Sequence, residues 1–399
     1  MKIAFVALPQ PEYTVITPPL PLIYMAALLE QQRHIVRIYD LALCGTTSLN
    51  NALTPLCTFR PHVVVIASTD SVATTATQAA LAGCNAPILH LRIALRELGP
   101  GQVVAQALWQ MDDQPDAGDE QNVIFGALLA LDDDLDMLPF PARHLLALEQ
   151  YPLFTPEGEL QTTVLAGQQI GANTIIPRRP VQIVAELRSV AREHGIRHFV
   201  FPDPPLTHDL AWLRDMLYHL GTADLGIGWE GNVRHERLTP ELLRMCRQAG
   251  CEVLCFEFDA LEVLDSKPAR AALSAIVEQA HALGISVRAH IKLEPPYGAV
   301  PALVDMSATF GLDDVRFSVQ QQMQQYPMGE GLGLEDVAEM ARSRYRSSRS
   351  RQFFIERFGP QLGPMLWRVG RAGLLGRTWQ RYADGGEDSN GMVTGSYGS

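Results

Sequence analysis

From Thr162 onward the chain repeats a unit of a short apolar strand, a loop and a helix. The six predicted strands are 162–166, 197–202, 225–229, 252–258, 286–293 and 314–319, and the helices predicted between them are 181–194, 208–220, 239–249, 268–283 and 300–310. Strands that alternate with helices favour an α/β fold with parallel strands. Six strands with five intervening helices predict a partial (β/α)6 barrel of the TIM type.

The residues before this repeat show the same alternation. β-like apolar runs cover 2–8, 35–40, 62–67 and 87–91, and residues 18–30 have the pattern of a loop followed by a helix. These runs predict an open parallel sheet of the Rossmann-like kind. The first ten residues, MKIAFVALPQ, fit a first strand better than a signal peptide.

Charge and cysteine usage narrow the classes of function. The 399-residue chain has a formal net charge of −12, which argues against nonspecific nucleic-acid binding. No run approaches the length of a membrane-spanning helix. The six cysteines are dispersed and show no tight framework, so we expect a reducing cytoplasm. A peripheral position at the cytoplasmic face of a membrane complex is compatible with this composition.

Several landmarks recur in an order that identifies a family. They are PPLPLIYMAALLE at 18–30, LPFPA at 138–142, FVFPD at 199–203, a segment from Trp229 to Arg234 followed by 238–251, and Glu257 followed by Val263 and Leu264. Their order resembles the order of motifs in the radical S-adenosylmethionine (SAM) enzymes that carry an N-terminal cobalamin-binding domain. The resemblance is strongest over 160–330. It implies five regions: a cobalamin-binding-like Rossmann domain (1–140), a linker (141–160), a radical-SAM-like partial barrel (161–330), a helical basic extension (331–382) and a disordered tail (383–399).

The residues that define this family are absent from their expected positions. After its first barrel strand the family carries G-C-x-x-x-C-x-x-C, whose three thiolates hold a [4Fe–4S] cluster. Here Gly167 is present, but the cysteine positions are Gln168, Ala172 and Ile175. None of these side chains is a thiolate. The sequence therefore predicts no iron–sulfur cluster, no other metal and no catalytic residue.

The resemblance also leaves vestigial candidates for a cofactor site. Gly167, Asp203, Arg234 and Glu257 match family positions near SAM, although Arg234 and Glu257 are expected to form only buried polar pairs. For cobalamin, the chain lacks Asp-x-His-x-x-Gly, and 89–92 (LHLR) replaces a family glycine pair. Bulky residues there predict an empty or shrunken cobalamin crevice. No cofactor is expected, with cobalamin or SAM as the less favoured alternatives.

The residues give little support for hydrolytic, phosphate-binding or metal-dependent chemistry. The sequence has no GxSxG, HExxH or glycine-rich phosphate loop. Cys246, Cys251 and Cys255 fit core positions better than a metal site. His194 and His198 have no evident carboxylate partner nearby, and the acidic residues of 112–136 fit a solvated surface better than a cation site. Cys44, Cys57 and Cys84 show no partner at useful spacing.

The C-terminal extension combines arginines with aromatic residues. Six arginines lie in 341–357, and Tyr345, Phe353, Phe354 and Phe358 are interleaved with them. This composition suits a helix that docks on a protein or a membrane, but it favours a helix that closes the barrel with its arginines in solvent.

Three hypotheses follow from these patterns. The first is a pseudoenzyme that serves as a structural or assembly subunit. The second is a module that binds cobalamin, a tetrapyrrole or SAM, and the third is an enzyme with new, non-radical chemistry in the old cleft. Resemblance to the anaerobic cyclases of chlorophyll synthesis points, by analogy alone, to a photosynthetic or other membrane-associated complex.

Overall fold

A computed structural model describes most of the chain. The described residues are 1–8, 16–44, 49–68, 77–81, 84, 86–94, 108–111, 123–124, 135–155, 157–170, 174–202, 205–259, 266–293, 300–319 and 334–371. Two compact units share them. The first comprises Met1–Glu257 with Gln279–Val287, and the second comprises Phe258–Glu278 with Arg288–Ser399. The predicted boundaries at 140, 160, 330 and 382 remain predictions, and the acidic loop at 112–121 and the tail at 383–399 lie outside the described residues.

The first unit begins with a five-stranded sheet. Its strands are β1 (Lys2–Ala7), β2 (Ile35–Asp40), β3 (Val63–Ser68), β4 (Ile88–Ala94) and β5 (Leu108–Met111). They lie in the order β2-β1-β3-β4-β5. The first four are parallel, as predicted, and β5 is an antiparallel edge strand that the sequence did not predict.

Two helices cover the two faces of this sheet. Helix α1 (Leu20–Gln31) begins after Pro18 and Pro19 and is buried on almost every side. Helix α2 (Leu49–Phe59) packs with Leu53, Leu56 and Phe59 against the other face. The apolar residues of β1 alternate between these two cores, which is the pattern of a sheet covered on both sides.

A disulfide joins α2 to the segment before β4. Cys57 and Cys84 are bonded, with Cα atoms 5.5 Å apart. The prediction that these cysteines lack a partner is therefore wrong. Twenty-seven residues separate them in sequence, so spacing gave no indication of the pair.

The segment after residue 135 fastens onto the first sheet. The backbone N–H of Ala142 donates to the carbonyl of Ile23 in α1, at 2.9 Å. The Tyr151 hydroxyl donates to Asp40 at the end of β2, at 2.8 Å. The predicted linker is thus hydrogen-bonded to α1 and to the end of β2.

The rest of the first unit contains the start of the predicted barrel. Its parallel strands are β6 (Gln161–Thr163), β9 (His198–Phe201), β10 (Gly228–Val233) and β11 (Cys251–Asp259). Strand β11 belongs to this unit as far as Glu257. The first residues of β12 (Ser286–Leu293) lie beside β11. Its helices are α3 (Pro180–His194), α4 (Leu210–Ala223) and α5 (Pro240–Gln248). Strands β7 (Gly167–Ile170) and β8 (Thr174–Pro177) form a separate two-stranded sheet.

The second unit continues the same strand-and-helix alternation. Strand β12 pairs in parallel with β13 (Asp314–Val319), with Ala289 opposite Val315. The helices here are α6 (Lys267–Ala282), which the unit shares with the first, α7 (Val300–Ser307) and α8 (Leu334–Arg371). The curled sheet of parallel strands with its helices confirms the predicted α/β class and partial barrel.

Among the described residues, no helix combines the length and the apolar character needed to cross a membrane.

Candidate functional site

The expected cluster-binding loop is replaced by a β-hairpin. Strand β7 (Gly167–Ile170) pairs antiparallel with β8 (Thr174–Pro177). Gln168 lies opposite Ile176, and Ile175 lies opposite Gln169. Two of the three family cysteine positions are therefore on paired strands, and the third, Ala172, lies outside the described residues. The sequence predicted a loop here and gave no sign of the hairpin.

Gly167 is required where the hairpin starts. A Cβ at this buried position would lie 2.7 Å from the Ile176 carbonyl oxygen and 2.9 Å from the Pro177 Cα. Contacts this short force the backbone to move. Gly167 thus serves close packing between the two strands, which is independent of any ligand.

A buried ion network lies directly below the hairpin. Glu186, on α3, has no exposed side-chain surface and pairs with Arg143 at 2.8 Å and with Arg178 at 2.7 Å. The two guanidinium groups also donate to carbonyls next to β6: Arg143 to Thr163 at 2.8 Å and Arg178 to Leu165 at 3.0 Å. The network therefore fixes the end of β6 to the first turns of α3.

Asp136 and Tyr24 complete this network. Asp136 was expected in a solvated acidic surface, but its side chain is 2% exposed. It lies 3.8 Å from Arg178 and also accepts a hydrogen bond from the exposed Arg179 side chain, at 3.1 Å. The fully buried Tyr24 of α1 faces the same charges. Burial raises the pKa of Tyr24, and the negative charge of Glu186 raises it further, so the phenol remains protonated.

Sequence reasoning missed this network, although one signal was available. Buried Ile183, Val184, Leu187 and Val190 form the apolar stripe of α3, and Glu186 lies within that stripe. A carboxylate at such a position needs a buried cationic partner. The pattern does not identify that partner, because Arg143 lies 43 residues earlier in the chain.

The vestigial cofactor candidates do not form one described cluster. Asp203 lies outside the described residues, and the side chain of Glu257, on β11, is also outside them. Arg234 follows β10 and is exposed, so the expectation of a buried polar pair does not hold for it. Its backbone N–H donates to the Thr207 hydroxyl at 2.8 Å.

His198 does have carboxylate partners, contrary to expectation. It starts β9 and contacts Glu159 and Glu252, the latter at 3.0 Å. Both glutamates are distant in sequence, which is why the pairing was not evident. Cys246 and Cys251 are buried, and burial raises the pKa of both thiols. Among the described residues, no group of three or more His, Cys, Asp or Glu could hold a metal ion.

Helix α8 packs through Tyr345 and Arg344 and exposes apolar side chains further along. Tyr345 is buried with its ring edge-on to Phe317 of β13, and Arg344 pairs with Asp305 of α7. Beyond these contacts, Phe353, Phe358, Leu362 and Met365 are exposed. Gly359, at φ +81°, interrupts the helix between them.

Comparison with solved structures identifies the fold. The methyltransferase TsrM from Kitasatospora setae, a radical SAM enzyme solved with cobalamin and a [4Fe–4S] cluster, matches with a TM-score of 0.54 and 12% identity over 79% of this chain and 74% of that one. OxsB, a cobalamin-dependent radical SAM enzyme solved with aqua-cobalamin, matches with a TM-score of 0.52 and 12% identity over 86% of this chain. The fold is that of the cobalamin-dependent radical SAM enzymes. The match covers 55% of OxsB, so the chain spans about half of that protein's length. No protein-family model and no curated protein matches the sequence.

This comparison corrects the prediction on cofactors. The inference that such a chain holds no cofactor and no iron–sulfur cluster is wrong, because solved structures of this fold contain cobalamin and a [4Fe–4S] cluster, or a SAM analogue. At positions 168, 172 and 175 the chain nevertheless offers no thiolate. Those three positions do not fit cysteine ligation of a cluster.

The shrunken cobalamin crevice remains a prediction. Residues 89–92 lie inside β4, where Leu89 pairs with Val65 and Leu91 with Ala67. Leu89 is buried in the core. Leu91 and Arg92 pair with Ala67 and Ser68, the last two residues of β3, so they lie near the carboxyl edge of the sheet, where a ligand binds in folds of this kind.

Proposed function

We propose that this chain works through contact with a protein partner, as a structural or assembly subunit, and does not act as a radical SAM enzyme. The hairpin at 167–177 carries the proposal. Radical SAM chemistry depends on three cysteines in this segment, whereas here Gln168 and Ile175 belong to paired strands. The fold is retained, while 167–170 and 174–177, on either side of the family's second cysteine position, form paired strands.

Exposed apolar residues on both sides of the kink at Gly359 in α8 supply the contact surface, defined as Phe353, Phe358, Leu362 and Met365. Eleven large hydrophobic side chains are exposed among the described residues, and four of them fall between 353 and 365. Single exposed apolar residues are ordinary, but a concentration of them marks an interaction site. These four side chains are 41–58% exposed, and the rings of Phe353 and Phe358 also contact the buried Phe354.

Charge indicates which kind of partner fits this surface. Residues 341–357 contain six arginines and one glutamate, a net charge of +5, in a chain of net charge −12. Arginine and aromatic residues are enriched at protein interfaces. A partner with an acidic surface around an apolar depression therefore complements this helix. By analogy with the anaerobic cyclases of chlorophyll synthesis that the sequence resembles, the setting we propose is a membrane-associated complex.

The test replaces the contact surface without removing the helix. Truncation after residue 333 is unsuitable, because Ala341, Tyr345 and Phe354 are buried and their loss would unfold the second unit. The combined variant F353S/F358S/L362S/M365S should stay folded by circular dichroism and lose its partners in a pull-down from native lysate. The matched control, V181S/Y218S, replaces exposed apolar residues on α3 and α4 and should keep every partner.

Two outcomes would overturn this proposal. One is a folded combined variant that retains every partner of the wild-type chain. The other is that the pull-down captures no protein, while the wild-type chain binds vesicles with anionic lipids and the combined variant does not. The second result assigns the helix to a membrane surface.

Cobalamin binding is a second candidate function, and the strand order favours it. The order β2-β1-β3 places the second and third strands on opposite sides of β1, and ligands bind at such switch points. TsrM and OxsB, which share the fold, were both solved with cobalamin bound. Titration with hydroxocobalamin, followed by its visible spectrum, decides this candidate: micromolar affinity supports it, and an unchanged spectrum rejects it.

A further inference from the structure

A small cavity lies at the carboxyl end of β2, on the edge of the first sheet. Its volume is about 300 Å³. The wall is formed by the end of β2, the turn that follows it, Ala52 of α2, and the linker residues Leu145 and Gln150. Gln150 is exposed, so the cavity reaches the surface. This volume is at the lower end of the range for small-molecule sites.

Asp40 is the acidic group in this wall. Its Oδ1 accepts from the backbone N–H of Ala42 at 3.0 Å, and its Oδ2 accepts from the Tyr151 hydroxyl at 2.8 Å. Both donors are neutral, and no described residue forms an ion pair with Asp40. Burial raises the pKa of Asp40, and these two hydrogen bonds only partly oppose that effect. The carboxylate therefore lacks the positive partner that a partly buried charge requires.

The rest of the wall does not supply that charge. Among the residues that the structure describes, no lysine, arginine or histidine lines the cavity. Tyr39 donates its hydroxyl to the Pro55 carbonyl at 3.3 Å, and the Cys44 thiol stays neutral because burial and the charge of Asp40 raise its pKa. Most of the remaining wall is aliphatic. The cavity thus combines one unneutralised acid with an apolar lining.

We propose that this cavity binds a small amine, with its apolar body against the aliphatic wall and its ammonium group on Asp40. The ammonium would donate to the free lone pairs of the carboxylate and neutralise it. The net charge of −12 also favours a cation over a neutral ligand. This site lies on the outer side of β2, away from the β1–β3 switch point, and is independent of the proposed contact function.

Two probes of similar shape test the proposal on the full-length protein. Phenethylamine carries an ammonium group, and 2-phenylethanol replaces it with a hydroxyl. By isothermal titration calorimetry, the amine should bind roughly tenfold more tightly than the alcohol, because a charge-assisted hydrogen bond is about twice as strong as a neutral one. Asp40→Asn should weaken amine binding by at least roughly tenfold.

Two controls complete the experiment. Asp215→Asn removes one exposed negative charge on α4, outside the cavity, and should leave amine binding unchanged. Ala52→Leu narrows the cavity without touching the acid and should weaken both probes. Equal binding of amine and alcohol, unchanged amine binding in Asp40→Asn, or no amine binding at millimolar concentration would overturn the proposal. If Asp40→Asn does not fold, the amine–alcohol comparison on the wild-type chain still decides it.

Discussion

The carboxylate of Glu186 accepts a 2.7 Å hydrogen bond from Arg178, and both side chains are almost completely buried. Replacing Glu186 with glutamine removes the negative charge that Arg143 and Arg178 share. Two buried guanidinium groups then lack their common counterion, which costs about 3–5 kcal/mol of unfolding free energy. Urea denaturation measures this loss. Glu193→Gln, at an exposed position of the same helix, should change stability by less than about 0.5 kcal/mol.

The same pair predicts how stability depends on pH. Burial alone would raise the pKa of Glu186, but Arg178 and Arg143 outweigh burial and hold it below its ordinary value. Its stabilising contribution is therefore fully present above the unfolded-state pKa and is lost as the pH falls through the folded-state pKa. The difference in unfolding free energy between wild type and Glu186→Gln should shrink from about pH 7 to about pH 3. A difference that stays constant over this range would contradict the assignment.

The pKa of Asp40 is shifted in the opposite direction to that of Glu186, so its effect on stability has the opposite pH dependence. Because burial raises its pKa, the unfolded chain ionises first, and the contribution of Asp40 to stability falls as the pH rises through the unfolded-state value. The unfolding free energy of Asp40→Asn relative to wild type should therefore increase with pH, and urea denaturation at several pH values measures it. A relative value that falls with pH would show that Asp40 is not destabilised by burial.

Two buried tyrosines should respond oppositely to loss of the hydroxyl. The Tyr24 hydroxyl is buried and has no hydrogen-bond partner among the described residues, so Tyr24→Phe should raise the unfolding free energy by about 1 kcal/mol. Tyr151→Phe removes the donor to Asp40 and should lower it by about 1–2 kcal/mol. Each variant is the control for the other in thermal unfolding. Changes of the same sign would refute the interpretation of Tyr24.

The hairpin predicts a large effect from one added methyl group. Gly167→Ala places a carbon against the Ile176 carbonyl and should lower the unfolding free energy by about 1–3 kcal/mol. Gly221→Ala, near the end of α4, meets open space and should raise it by up to about 1 kcal/mol. Denaturant unfolding of both variants tests the pair. A neutral Gly167→Ala would show that the two strands are not in close contact there.

Much of the barrel-like fold could be predicted from hydrophobic periodicity. Strands β12 and β13 have the predicted bounds, and α3 begins one residue earlier than predicted. The main discrepancy is β10, predicted at 225–229 and found at Gly228–Val233. Gly226 adopts φ +59°, a left-handed conformation that ends the connection from α4 and cannot belong to a strand.

The candidate sites were less accessible to sequence reasoning, because they depend on distant pairs. Tyr151 and Asp40 lie 111 residues apart, and His198 and Glu252 lie 54 apart. The pairing of β7 with β8 is made by backbone groups, and the identities of Gln168 and Ile175 gave no indication of it. Family resemblance correctly predicted the fold, and the apolar run at 87–91 correctly predicted β4.

The buried network also has a consequence for the order in which the chain folds during synthesis. Tyr24 leaves the ribosome early, whereas Glu186, whose charge it faces, is added more than 160 residues later. Until α3 is complete, Asp136, Arg143 and Arg178 lack the carboxylate at the centre of their network. Domains usually fold as they are made, but here the first sheet cannot acquire its final surroundings until the first helix of the barrel has been translated.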